Sequence, residues 1–357
     1  MQTSFFDLDN RLASLSTAGD PLERLNAAID WDIFKPVLAQ LDVKERKSRA
    51  GRKPTCRILM FKMLILQQMY ALSDERLEFQ VTDRLSFMRF LGLGLARDVP
   101  DARTVWEFRE ALKTRALHQA LFDRFHQALQ NLGVQLKSGQ ILDATLVPAP
   151  VQHNKREDND LIKAGAQPLD WQDSPAKRRQ KDTEARWTRK NHLSHFGYKN
   201  HINIDRDSKL IHKAVVTPAN KADIDVQEEL LCAPDRAGAD VHKDAGYVSA
   251  PKDRAMKDKG WCPHTNEKGE RGHPLSEEQK LSNRTKSKTR ARVEHVFGAM
   301  ENDMGGIGVR SIGLKRAQCH LMLKNLAYNL KRTAYLLKMK FWKGIDRIGA
   351  PKASHAG

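Results

Sequence analysis

The sequence is short of cysteine, of acidic residues and of long apolar runs, and each shortage excludes something. Four cysteines, Cys56, Cys232, Cys262 and Cys319, are scattered over 357 residues. They form neither a disulfide framework nor a paired zinc spacing, which points to a reducing compartment, the cytoplasm. Cys262, His264 and His273 in "CPHTNEKGERGH" match no zinc-site spacing either. No run approaches the roughly 18 apolar residues of a spanning helix. The start, "MQTSFFDLDN", lacks the basic-then-apolar layout of a signal peptide. No membrane partner is expected. A glycine-rich phosphate loop is also missing, since "GLGLARD" (92–98) has no strand before it and reads as a helix end. Asp and Glu total 44 against 61 Lys and Arg, a net charge of +17. A surplus of that size suits a polyanion such as nucleic acid.

What is present divides into regions. Residues 1–44 form an arm with a few apolar anchors, and "KERKSRAGRKP" (44–54) is a basic linker. Residues 45–135 read as a helical DNA-binding or dimerisation domain. "RILMFKMLILQQMY" is too apolar for a surface helix, and Ser73 is placed to cap the next one. Thr104 and Glu107 have capping-box spacing. Short helices in a basic chain permit a helix-turn-helix reader, a plain bundle or a dimerisation module. Residues 136–345 alternate strand and helix, an α/β order. A polar insertion near 150–195 interrupts them, part loop and part basic helix, and 346–357 is a tail. "GYKNHINID" (197–205) and "KLIHKAVVT" (209–217) read as an antiparallel hairpin. In 304–345 there are nine Lys or Arg and no acid; Lys324, Lys331 and Lys338 repeat every seven residues. That helix can buttress the sheet with one face and meet DNA with another.

Three carboxylates sit in unusual settings. Asp143 interrupts the apolar strand "GQILDATLVPAP" (139–150), where acids are disfavoured. Asp244 closes a second strand, ahead of Ala245-Gly246-Tyr247. Glu294 lies beside the helical stripe Val293, Val296, Phe297 and Met300, with Arg290 one turn earlier. If both strands share a sheet and the helix crosses it, the three acids converge. Carboxylates tolerate each other when a divalent cation neutralises them, and hard Mg²⁺ suits such a set. Two such ions can clamp an in-line phosphoryl displacement. Nearby acids have other readings: Asp223 and Asp225 suit a helix start, Asp235 a turn, and Asp240 is the reserve for Asp244.

These motifs resemble the DDE transposases of bacterial insertion sequences, specifically the insertion-sequence-five group, and the resemblance covers most of the chain. "GRKPTCRILMFKMLILQQMYALSDERLEFQVTDRLSFMRFLGL" and "VPDARTVWEFREAL" resemble its N-terminal helical domain. "ARWTRKNHLSHFGYKNHINID", "DAGY" and "RARVEHVFG" resemble its second-strand, second-acid and third-acid regions. The resemblance implies an RNase H-like mixed sheet with flanking helices behind an all-helical N-terminal domain. It implies a catalytic, metal-holding triad of Asp143, Asp244 and Glu294, loaded with two Mg²⁺ that Mn²⁺ can replace. It implies a transposase that binds double-stranded terminal inverted repeats, cuts them, joins them to target DNA, and works as a homodimer on DNA. Arg284, Lys286, Lys288, Arg290, Arg292 and Lys199 are the expected DNA contacts, with His295 as a supporting neighbour of the acids. The chain departs from the group at two places, with Ser287 at its tyrosine position and Glu301 at its lysine position. The lysine's DNA contact then falls to Lys286, Lys288 or Arg292. Two alternatives stay open: a nuclease on the same fold that only cuts, and a decayed transposase that binds DNA without chemistry.

Overall fold

The computed structural model describes residues 6–41, 55–134, 138–234, 236–269 and 274–349. The basic linker at 44–54, Asp235 and His273 lie outside the described residues. The chain divides into two units: residues 1–136, 302–305 and 322–357, and residues 137–301 and 306–321. Among the described residues, no helix is long and apolar enough to cross a membrane.

The first unit is helical, and it takes in more of the chain than its sequence suggests. The helix Arg57–Tyr70 is buried continuously from Met60 to Met69, as its unbroken apolar run requires. Around it gather Trp31, Phe34 and Phe90, with Phe61 4.8 Å from Phe34 and Trp31 edge-on to Phe90 at 5.4 Å. Residues 6–41 are therefore not a loose arm; Leu22, Leu25, Trp31, Ile33 and Phe34 belong to this core. The C-terminal segment joins it too. Lys324 is buried and donates to the carbonyls of Gln68 (2.9 Å) and Met304 (2.6 Å). Ile348 bridges to Ile29. The sequence boundary at 345 therefore moves to about 321, and Lys324 leaves the set of surface lysines. Its ammonium closes helix ends that would otherwise leave buried carbonyls unpaired.

Helix starts follow local chemistry. Ser73 Oγ accepts the Arg76 N–H at 3.2 Å, as expected. The helix Ala102–Thr114 starts differently. Asp101 is its cap, accepting the Thr104 N–H at 2.7 Å, and Glu107 pairs with Arg103 instead of reaching back. Replacing Asp101 with Ala should cost about 1 kcal/mol in urea unfolding. Thr104→Ala should cost clearly less; equal losses would return the cap to Thr104.

The second unit is built on one six-stranded sheet: β1 (Gln140–Pro148), β2 (Arg186–Lys190), β3 (Leu193–Asp205), β4 (Ile211–Pro218), β5 (Ala239–Lys243) and β6 (Trp261–Thr265). Strands β3-β1-β5-β6 lie side by side in that order, and β2 and β4 both pair with β3. β1, β3 and β4 pair antiparallel, and β5 and β6 run parallel to β1. This is the mixed, RNase H-like order that the motifs implied. β2 extends the start of β3, so the end of the polar insertion is strand. The β3–β4 hairpin closes on Asp205, whose carboxylate accepts from the N–H groups of Ser138 and Ser208 and from the Ser208 hydroxyl. The parallel pairs need crossovers, supplied by Asp223–Leu230 and by the helix Ala250–Asp258. Val226 and Leu230, Met256 and, from the short turn between β5 and that helix, Tyr247 pack against Leu142 and Val241 on one face. The helix Glu277–Gly298 packs on β1 and β5 with Val293 and Val296 fully buried.

Candidate active site

Strand register brings the first two acids together. Leu142 pairs with Lys243, the last residue of β5. The next residues along the two strands are Asp143 and Asp244. β5 leaves the sheet at that point, so β1 from Asp143 onward has an open edge. Asp244 turns into a short 3-10 segment and caps it, accepting the Gly246 N–H at 2.8 Å.

Asp143 is nearly buried, with its side chain 15% exposed. Burial pushes its carboxyl up to about 6, and the Asp244 charge pushes the same way. Arg290, the Ala144 N–H and, more weakly, Lys190 pull against the rise. Arg290 Nε stands 3.5 Å from Asp143 Oδ2. Glu294 lies one turn beyond Arg290 on the same helix and is exposed. The three acids do not draw together to within 4.8 Å of one another; among the described residues only Asp240, Cys262 and His264 do. Mutual repulsion keeps uncompensated carboxylates apart.

The raised Asp143 carboxyl has a consequence for stability in the metal-free protein. The folded state holds the proton more tightly than the unfolded chain, so folding is penalised above pH 6 and relieved as pH falls towards 4. The difference between 3.8 and about 6 corresponds to about 3 kcal/mol. Asp143→Asn in EDTA should therefore be more stable than the parent at pH 7.5, by up to that amount less the lost Arg290 pairing. The gain should vanish near pH 4. A difference in urea midpoint that does not change with pH would contradict the origin of the strain.

The expected DNA contacts fall into two groups. Arg284 and Lys288 are exposed on the helix Glu277–Gly298. The other four are engaged within the unit. Lys286 donates to the Thr265 carbonyl, Arg290 faces Asp143, Arg292 holds Asp207 and the Arg206 carbonyl, and Lys199 pairs with Asp223. His295 Nδ1 lies 2.8 Å from Lys209 Nζ. Ser287 accepts from Asn266, and Glu301 is exposed in a π-helical turn.

Two residues near the acids give no distinguishing signal in the sequence. Tyr247 stands out only as part of "DAGY", yet its ring is fully buried and its hydroxyl has no partner among the described residues. Asp223 reads as an ordinary acid at a helix start, but it pairs with Lys199. No local pattern distinguishes such an acid; its partner is 24 residues away. Asp225 does behave as a surface acid and faces Lys221 at 3.3 Å. Asp240, the reserve for Asp244, sits four residues down β5, about 13 Å away along the strand. It is already matched by His264 (2.8 Å) and Arg206 (3.6 Å).

A family model described as "Transposase DDE domain" matches residues 134–330. A second, described as "Transposase domain (DUF772)", matches residues 10–111. Among solved structures, the chain is similar to a piggyBac transposase seen by cryo-EM in a synaptic complex with hairpin DNA. The identity is 13% and the TM-score 0.46, over 91% of this chain and 77% of that one.

Proposed function

The chain belongs to the transposase DDE domain family, whose model spans more than half of it, and on that premise we propose that it transposes a bacterial insertion sequence of the insertion-sequence-five group. It binds double-stranded terminal inverted repeats, hydrolyses a phosphodiester to free a 3′-OH, and directs that hydroxyl to target DNA. The observation that carries this reading is the placement of Asp143 and Asp244 one step beyond the last β1–β5 pair, Leu142 with Lys243, with the Asp143 carboxyl raised by burial and by its neighbour.

The donor set fits a hard divalent cation. All three proposed ligands, Asp143, Asp244 and Glu294, offer carboxylate oxygens, and the strained Asp143 gains most from a positive charge. Mg²⁺, replaceable by Mn²⁺ and present as two ions, supplies Lewis-acid polarisation of the phosphodiester and activation of water when bound. The chain's own residues do the rest. Arg290 holds Asp143 ionised and in place. Arg284 and Lys288 meet DNA phosphates, and the helical unit reads the repeat. Two ends must be joined, so the working form is a homodimer on DNA, in the bacterial cytoplasm at the nucleoid.

The test is the purified protein with its flanking terminal-repeat DNA, with and without Mg²⁺. Nicking followed by joined product is expected only with metal. Cutting without joining would make it a nuclease. The exposed Glu301 favours one other reading, because an acid at the family's lysine position repels phosphate. Specific binding with no nicking in Mg²⁺ or Mn²⁺ would establish that non-catalytic form.

A further inference from the structure

Asp223 is the first residue of the 3-10 turn Asp223–Val226, yet its carboxylate does not cap that turn. It reaches back to β3. Lys199 Nζ donates to its Oδ1 at 2.8 Å and also to the Lys221 carbonyl at 2.8 Å. His201 Nδ1 stands 3.6 Å from the same oxygen. Lys199 is only 15% exposed. These contacts hold Asp223 in one direction, and its other oxygen faces Gly246. A Cβ built on Gly246 would lie 3.0 Å from Asp244 Oδ1 and 3.4 Å from Asp223 Oδ2. Two carboxylates from different crossovers therefore share one small space, over a residue with no side chain to separate them.

Tyr247 supplies an independent sign. Its hydroxyl is fully buried and unpartnered among the described residues. Burial raises its pKa, and the charges of Asp223, Asp143 and Asp244 raise it further, in that order. A buried hydroxyl left unpaired costs about 1–3 kcal/mol, so the Tyr247 oxygen, within the field of three acids, implies a ligand that its lone pairs can meet. Asp223 faces Lys199 at 2.8 Å and Asp143 faces Arg290 at 3.5 Å.

We propose that Asp223 is a fourth carboxylate of the cation site, oriented by Lys199 and directed with Asp244 at the same divalent ion. This rests on the reading of Asp143 and Asp244 as cation ligands. It also changes the part given to Lys199, which becomes a positioning residue for Asp223 and not a DNA contact.

Mn²⁺ binding to the full chain, followed by electron paramagnetic resonance without DNA, tests this. Asp223→Asn should weaken Mn²⁺ affinity at least tenfold, as Asp143→Asn should. Asp225→Asn, which removes a surface acid from the same turn, should leave it unchanged. Lys199→Met keeps the acid but removes the contact that orients it, and should weaken Mn²⁺ affinity by less than Asp223→Asn does. If Asp143→Asn weakens binding and Asp223→Asn does not, Asp223 is a mere ion-pair partner and the site stands without it. Equal loss in Lys199→Met and Asp223→Asn would assign the effect to the broken pair and overturn the proposal. If neither Asp143→Asn nor Asp223→Asn changes binding, the cation site and the proposal fall together.

Discussion

Asp143→Asn, Asp244→Asn and Glu294→Gln should each lower Mg²⁺-dependent cutting of terminal-repeat DNA by on the order of a thousandfold or more. Every tenfold in rate is about 1.4 kcal/mol of barrier, and losing a cation that stabilises developing charge removes several kcal/mol. The amides preserve side-chain volume, so the loss should not come from unfolding. Circular dichroism and affinity for repeat DNA should stay close to the parent's. Asp143 and Asp244 are adjacent through strand register, so their effects should not add. The double variant should be no worse than either single one. Glu294 is exposed and lies on a separate helix, Glu277–Gly298, which makes it the most informative of the three. If Glu294→Gln cuts at the parent's rate, the third acid is wrongly assigned and the site consists of acids from the sheet and its crossovers.

DNA affinity should fall steeply with salt. Each phosphate neutralised by Lys or Arg releases condensed counterions, giving a slope of log K against log salt of about −0.9 per contact. A chain with a net charge of +17 has enough cations for a large footprint. With about six phosphates engaged, raising salt from about 50 to about 200 mM should weaken binding about a thousandfold. The structure sharpens which residues carry the slope. Arg284→Ala and Lys288→Ala should each reduce it by about one contact, because both side chains are exposed. Arg292→Ala should change it little, since its guanidinium holds Asp207 and the Arg206 carbonyl. Fluorescence anisotropy across a salt series measures all three. An Arg292 variant with the largest drop in slope would mean that this arginine leaves Asp207 for DNA. Fragments for such work should respect the two units. A piece spanning 136–345 would carry Leu323, Leu326 and Leu330 without the helical core they are buried in.

Much of the site is legible in the sequence alone, because short-range patterns carry it. Of the stripe Val293, Val296, Phe297 and Met300, Phe297 is half-buried and the other three are fully buried. The hairpin from 197 to 217 forms as alternation and its polar turn imply. Asp143 stands out because an acid in an apolar strand needs a reason, and Asp244 because its strand gives way to Ala245-Gly246. Other features have no local signal. The adjacency of Asp143 and Asp244 depends on β1–β5 register across about a hundred residues, and a slip of one would put the acids on opposite faces. Asp223 and Asp225 look alike in sequence, and only the fold gives one to Lys199 and the other to Lys221. Lys324 has the spacing of a surface cation, and only the packing of its helix sets it against Gln68 and Met304. By itself the sequence determined most of the helices and strands and which acids are out of place, since periodicity and capping act over a few residues. Only the tertiary structure decided which acids share a space and which cations remain open to DNA, because those depend on long-range pairing and on the charges it brings together.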